Sequence, residues 1–311
     1  MAEVVGAVPV DRLFLGDGGI ETSLIYLEGV ELPLFASFPL LDDASGRARL
    51  RNYFEPYLAL CAATSGAGFL LDTATWRASA DWGRKLGYDA AALVRVNHDA
   101  VAFARALRDE WQLRIAGPIL INGIIGPRGD GYIVDAPDGA DDHLLFHLPQ
   151  ATALRDAGVD LISAMTMTST AEALGVARAA SAVGLPVAVS FTVETDGRLP
   201  SGERLREAVE HVNAEAAPAY FGVNCAHPSH FDACFDDEGP WLTRIRSIRA
   251  NASPRSHAEL DEATELDVGD LPDLAGRYLG LRQRLPALNI LGGCCGTDHR
   301  HIRAIRDAWV R

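Results

Sequence analysis

Leu291-Gly292-Gly293-Cys294-Cys295-Gly296-Thr297-Asp298 stands between the apolar run 287–291 and a helical pattern over 301–309. Apolar run, glycine turn and amphipathic pattern spell strand, tight turn and helix, the repeating unit of parallel α/β folds. Adjacent cysteines cannot bond to each other without a strained peptide, so Cys294 and Cys295 read as two thiolates aimed at one partner. A soft divalent metal suits that role, and a helix N-terminus following the pair favours the thiolate form. Two sulfurs do not complete a zinc site. Of the other cysteines, Cys225 ends the apolar run 220–224, whereas Cys61 falls inside a helical pattern and Cys234 in a polar loop. The expected ligands are therefore Cys225, Cys294 and Cys295, holding Zn²⁺ with one position open, as in a catalytic site. The bland alternative is a buried thiol cluster without metal.

The same unit recurs upstream. Strand-like runs at 13–19, 68–75, 119–125, 159–165, 186–193 and 220–225 alternate with helical stretches at 44–65, 82–111, 142–157, 170–183 and 205–216. A seventh unit is weaker: 248–252 is a short strand followed by the acidic segment 253–273, read as a barrel loop, and a helix over 271–284. Such alternation implies parallel strands with crossover helices. Eight units in 311 residues predict a (β/α)8 TIM-type barrel, one domain over 1–311, rather than an open doubly wound sheet. Asp17, Thr73, Gly126, Met165, Glu194, Asn224 and the cysteines then fall at C-terminal strand ends, where barrels build their sites. A barrel also lets Cys225 meet the cysteine pair, because strands six and eight open on one mouth.

Charge and composition narrow the partners. A net charge of −14 argues against nucleic acid and anionic membrane surfaces, since either would need a basic patch. Five cysteines without regular spacing do not make a secreted disulfide framework. Met1-Ala2-Glu3-Val4-Val5 lacks the basic start of a signal peptide, and no apolar run approaches the roughly 20 residues of a membrane span. A soluble, cytoplasmic protein is expected. No glycine fingerprint for a dinucleotide follows the first strand, and no Walker loop is present.

With these residues in view, the chain resembles the homocysteine S-methyltransferase family over essentially its full length. The resemblance is carried by Asp17-Gly18-Gly19-Ile20-Glu21-Thr22, Asp72-Thr73-Ala74-Thr75-Trp76-Arg77-Ala78-Ser79 and Ile125-Gly126-Pro127-Arg128-Gly129. Ser190-Phe191-Thr192, Gly222-Val223-Asn224-Cys225 and Gly292-Gly293-Cys294-Cys295-Gly296-Thr297 complete it. It implies a zinc-dependent barrel that moves a methyl group from an onium donor to a small-molecule thiol. Three thiolates on Zn²⁺ leave a position for the acceptor thiol, whose pKa the metal depresses below about 8.5. The family pattern implies that Asp17, Gly18, Thr73 and Asn224 line the acceptor pocket. Trp76, Tyr26 and Tyr132 are expected to face the donor cation.

One position departs from the family. Its pattern places a glutamate after strand four to hold the homocysteine ammonium, and this chain has Met165. Either Glu21 or Glu194 supplies the charge, or the acceptor is another small thiol or selenol. Two further readings compete: a barrel metallohydrolase recruiting His227 or His230, against which an all-sulfur ligand set speaks, and a zinc-binding barrel without turnover. His227 and His230 are expected as solvent-exposed loop residues. The donor is open among S-methylmethionine, S-adenosylmethionine and betaine-like amines, and a homo-oligomer is left open.

Overall fold

Apolar runs that alternate with turns and helices supply eight parallel strands, and in the computed structural model these close into a barrel in sequence order. The structure describes residues 8–134 and 138–311. The strands are β1 Phe14–Leu15, β2 Gly68–Asp72, β3 Ile119–Ile125, β4 Leu161–Met167, β5 Val187–Phe191, β6 Tyr220–Asn224, β7 Ile245–Ala250 and β8 Ile290–Gly293. Closure comes from β1 pairing with β8, Phe14 opposite Ile290 and Leu15 opposite Leu291. The expected TIM-type architecture is the observed one. The N-terminal stretch 1–5 lies outside the described residues.

The period-two alternation of each strand sorts side chains between two environments. Phe14, Leu70, Leu161, Ala188, Tyr220 and Ile290, from six different strands, form one buried cluster inside the barrel. Along β6, Tyr220 joins that interior cluster while Phe221 and Val223 join the larger core shared with the helices. Asn224 therefore points inward, above the filled floor. Among the described residues the cavity above that floor opens at the C-terminal end.

Three local expectations shift. The strand expected at 248–252 begins at Ile245, because Arg246 and Arg249 disguise it in hydropathy although both are buried. Arg246 is satisfied by the Val8 and Pro9 carbonyls and by Asn289 Oδ1. The helical zone 82–111 divides into Ala80–Lys85 and Ala90–Trp111, parted at Gly87, whose φ of +84° no ordinary residue adopts cheaply. Asp89 caps the second helix by accepting from Ala92 N. The acidic segment holds a short helix, His257–Asp261, with a Ser256/Glu259 capping box. Among the described residues no helix is long and apolar enough to cross a membrane.

Candidate active site

Strand β7 lies between β6 and β8 and sets the separation of the cysteine turns. Cys225 N donates to the Arg249 carbonyl at 3.1 Å, Cys294 N to the Ala250 carbonyl at 2.9 Å, and Ala252 N returns to the Cys295 carbonyl at 3.0 Å. The Sγ atoms of Cys225, Cys294 and Cys295 consequently gather within 4.8 Å of one another. Cys225 and Cys295 are 3.7 Å apart at sulfur. A tetrahedral zinc site with Zn–S of about 2.3 Å has sulfurs about 3.8 Å apart, so the spacing fits the ion. The protons fit too. Three thiolates at this distance repel, and hydrogen bonds from Cys225 and Cys295 hold Cys294 low while the other two are pushed up. A divalent cation among the sulfurs would remove that conflict.

Cys225 takes φ +58°, uncommon for a residue with a Cβ. Its carbonyl is gripped by His257 Nε2 at 2.6 Å, Asn251 Nδ2 at 3.0 Å and Thr192 Oγ1 at 3.3 Å. These donors, two from the ends of β5 and β7 and one from the helix His257–Asp261, lock the conformation that turns the thiol toward its partners. Opposite them, the β1 and β8 turns meet backbone to backbone. A Cβ on Gly19 would lie 2.6 Å from the Cys294 carbonyl oxygen, so only glycine permits the approach. The helix after the pair, His299–Trp309, differs from expectation in what its N-terminus binds. Asp298 caps it and takes Arg300 N at 2.8 Å, and among the described residues that helix gives no hydrogen bond to a cysteine sulfur.

A cavity of about 340 Å³ opens above the sulfurs, lined by Asp17, Gly18, Glu21, Thr73, Met165 and Asn224 among others. Several of these polar groups are already committed. Thr73 Oγ1 meets Thr75 Oγ1 at 2.7 Å and accepts from Ile124 N at 3.0 Å. Asn224 accepts from Thr166 N at 2.9 Å and donates to Thr166 Oγ1 at 2.8 Å, holding Thr166 at φ +64°. Asp17 pairs with Arg249 and accepts from Tyr53 Oη at 3.0 Å, while Asp72 meets the same guanidinium at 2.7 Å. Burial pushes Asp72 up to about 7 against the pull of Arg249, and Asp17 is raised by the same cause. Glu21 accepts from Ser37 Oγ at 2.8 Å, and burial pushes it up to about 7 as well. Glu194 stands outside the lining: it pairs with His257 Nδ1 at 3.3 Å and so orients the imidazole that grips Cys225.

Of the aromatic residues, Trp76 and Tyr132 lie within the cavity wall and Tyr26 on its exposed rim. Trp76 Nε1 reaches the Met165 carbonyl at 3.4 Å. Tyr132 presents its hydroxyl to the cluster, 3.2 Å from Cys225 Sγ, and stacks one face on His257 with centroids 3.9 Å apart. The loop carrying Tyr132 is tied at its start, where Arg128 N donates to Glu172 at 2.6 Å and His147 does so at 2.9 Å. The expectation for His227 is corrected: it is buried at 3% exposure and accepts from Ser229 N as a helix cap. His230 meets the Pro254 carbonyl at 2.8 Å. Neither histidine belongs to the sulfur cluster. Cys61 is buried, and Cys234 donates to the Gly197 carbonyl at 3.5 Å.

Sequence reasoning did not single out Arg249, His257, Asn251 or Arg77. Arg249 had a signal, an arginine near the end of an apolar strand, where alternation turns it inward. His257 had none, because its contact to Cys225 crosses a loop.

Comparison with known proteins identifies a family. A family model described as homocysteine S-methyltransferase matches residues 14–309. The homocysteine S-methyltransferase of Escherichia coli strain K12 is 26% identical over 246 residues, covering 75% of this chain and 77% of that protein. Among solved structures, the homocysteine methyltransferase MmuM from Escherichia coli superposes in its oxidized form with TM-score 0.76 and in its metallated form with 0.75, each at 23% identity over 96% of both chains. That structural likeness is one of fold.

Proposed function

The chain belongs to the homocysteine S-methyltransferase family and is a methyltransferase; from that premise we propose that it methylates a small thiol, homocysteine first among them, using a sulfonium or quaternary-ammonium donor and Zn²⁺ held by Cys225, Cys294 and Cys295. The observation that carries this reading is the cluster of three sulfurs, all within 4.8 Å of one another, on the floor of an acidic, aromatic mouth. The metallated form known for the Escherichia coli relative supports a metal here. Zinc, when bound, supplies a Lewis acid that keeps the acceptor sulfur deprotonated and nucleophilic at neutral pH.

The chain's own residues do the rest. Cys225, Cys294 and Cys295 place the acceptor sulfur at the mouth's floor, and Glu21 faces the same cavity from the β1 turn. Glu21 is the acid positioned to meet the acceptor ammonium in place of the neutral Met165 thioether. Asp130, Asp261 and Glu265 line the mouth and draw in a cationic donor. In the transfer, the acceptor thiolate forms a C–S bond to the methyl carbon. The donor's bond from that carbon to sulfur or nitrogen breaks, and its electron pair leaves with the now neutral heteroatom. Opposite charges disappear in this step, so a mouth walled by Trp76 and Tyr132 that sheds water favours it. Met165 favours one second reading, a thiol or selenol without an ammonium group.

Mass spectrometry of zinc-loaded protein with homocysteine and a pool of sulfonium and quaternary-ammonium donors tests the proposal. Methionine is the expected product. Its absence, from protein holding one zinc per chain, would reject homocysteine and shift the reading to the second class of acceptor.

A further inference from the structure

Two arginines line the cavity, and they are treated differently. Arg249 has two carboxylates, Asp17 and Asp72, and its charge is matched within the barrel. Among the described residues Arg77 has no carboxylate within ion-pair distance. Its Nη1 donates to the Leu34 carbonyl, and its Nε is buried without a partner. The guanidinium stacks on two rings, 4.8 Å from the centroid of Trp76 and 3.9 Å from that of Trp82. A planar fork held between indoles is pre-organised for a bidentate anion. Burial pulls its pKa down, and the fields of Asp130, Glu21 and Asp261 offset that only in part.

Position says which substrate would bring the anion. The barrel floor is filled, so the donor must come to the sulfurs from the mouth, with its leaving part trailing outward. Trp76 leans inward to the Met165 carbonyl, and Arg77 lies beside it toward the outer segment that carries Leu34. We propose that Arg77 docks the carboxylate of the methyl donor, which sets the donor's anionic tail at the outer wall and its cationic methyl end toward the sulfurs. This inference rests on the methyl-transfer reading above. The donor's cation meets the acids and aromatic rings of the mouth; its carboxylate meets the one cavity arginine that has no carboxylate partner among the described residues.

Zinc-loaded wild type, Arg77→Gln and Arg77→Lys are compared with S-methylmethionine and its carboxamide as donors to homocysteine, and binding of each donor is followed by calorimetry. Wild type is expected to favour the acid over the amide by about 10- to 100-fold in KM and in Kd, the range for one charge-assisted pair. Arg77→Gln raises KM for the acid to that of the amide, with kcat and the homocysteine KM within about twofold of wild type. Arg77→Lys keeps part of the preference, since charge remains without the fork. An acid-to-amide ratio unchanged in Arg77→Gln overturns the inference, as does an equal loss of kcat with both donors. Absence of turnover in wild type would count against the methyl-transfer reading alone. Calorimetry then decides for Arg77: a preference for acid that Arg77→Gln removes sustains it, and equal or no binding of acid and amide to wild type refutes it.

Discussion

Cys225 sits at φ +58° with three donors on its carbonyl, so its thiol direction is set by residues that never touch the other sulfurs. Cys294→Ala is expected to drop zinc from about one per chain to a small fraction by elemental analysis, since two sulfurs do not hold the ion. Cys61→Ala and Cys234→Ala are expected to leave zinc content unchanged, because both thiols lie outside the cluster. His257→Ala removes the shortest of the three donors and frees Cys225 to relax, so zinc affinity is expected to fall by about 10- to 100-fold in a chelator competition. Met165→Glu would set a carboxylate beside the acceptor. If homocysteine is the acceptor, its KM falls in steady-state kinetics while that of a thiol lacking the ammonium does not. An unchanged homocysteine KM would point to Glu21 as the ammonium contact or to an acceptor without an ammonium group.

The helix His299–Trp309 follows the cysteine pair directly, and its cap carries a pH signature. Burial opposes ionisation of Asp298, but hydrogen bonds from His301 and Arg300 outweigh it and hold the carboxyl well below the ordinary carboxylate range. The unfolded chain therefore binds this proton more tightly than the folded one. The resulting stabilisation is fully present above the ordinary aspartate pKa of about 4 and is lost as pH falls below it. Asp298→Ala is expected to cost about 1–2 kcal/mol at pH 7 in urea unfolding, and to flatten the loss of stability below pH 4. An equal difference between variant and wild type at pH 7 and pH 2.5 would reject the assignment.

Arg249 joins β7 to β1 and β2 across the barrel, so one side chain ties strands distant in sequence. Removing it strands two buried carboxyls. Arg249→Met is expected to destabilise the protein by about 3–5 kcal/mol, seen as a lower urea midpoint, and Asp72→Asn in the same chain to recover part of that loss. No recovery would mean that packing of the arginine, rather than its charge, matters.

The barrel was legible because its signals are local: apolar runs of strand length, glycine turns and helical periodicity can each be read within about 20 residues. The three-sulfur cluster was legible for a related reason, since adjacent cysteines exclude a disulfide with each other and a barrel brings strand ends to one mouth. Hydropathy misled at β7, where Arg246 and Arg249 are buried with partners that a linear reading does not supply. The same limit separates Glu21 from Glu194: both follow strands, yet only Glu21 lines the cavity, and Glu194 holds His257 instead. Sequence alone determined the fold, the family and the three sulfurs. Only the tertiary structure decided which charges are already paired, leaving Arg77 apart from Arg249, because a polar side chain's availability depends on neighbours contributed by remote parts of the chain.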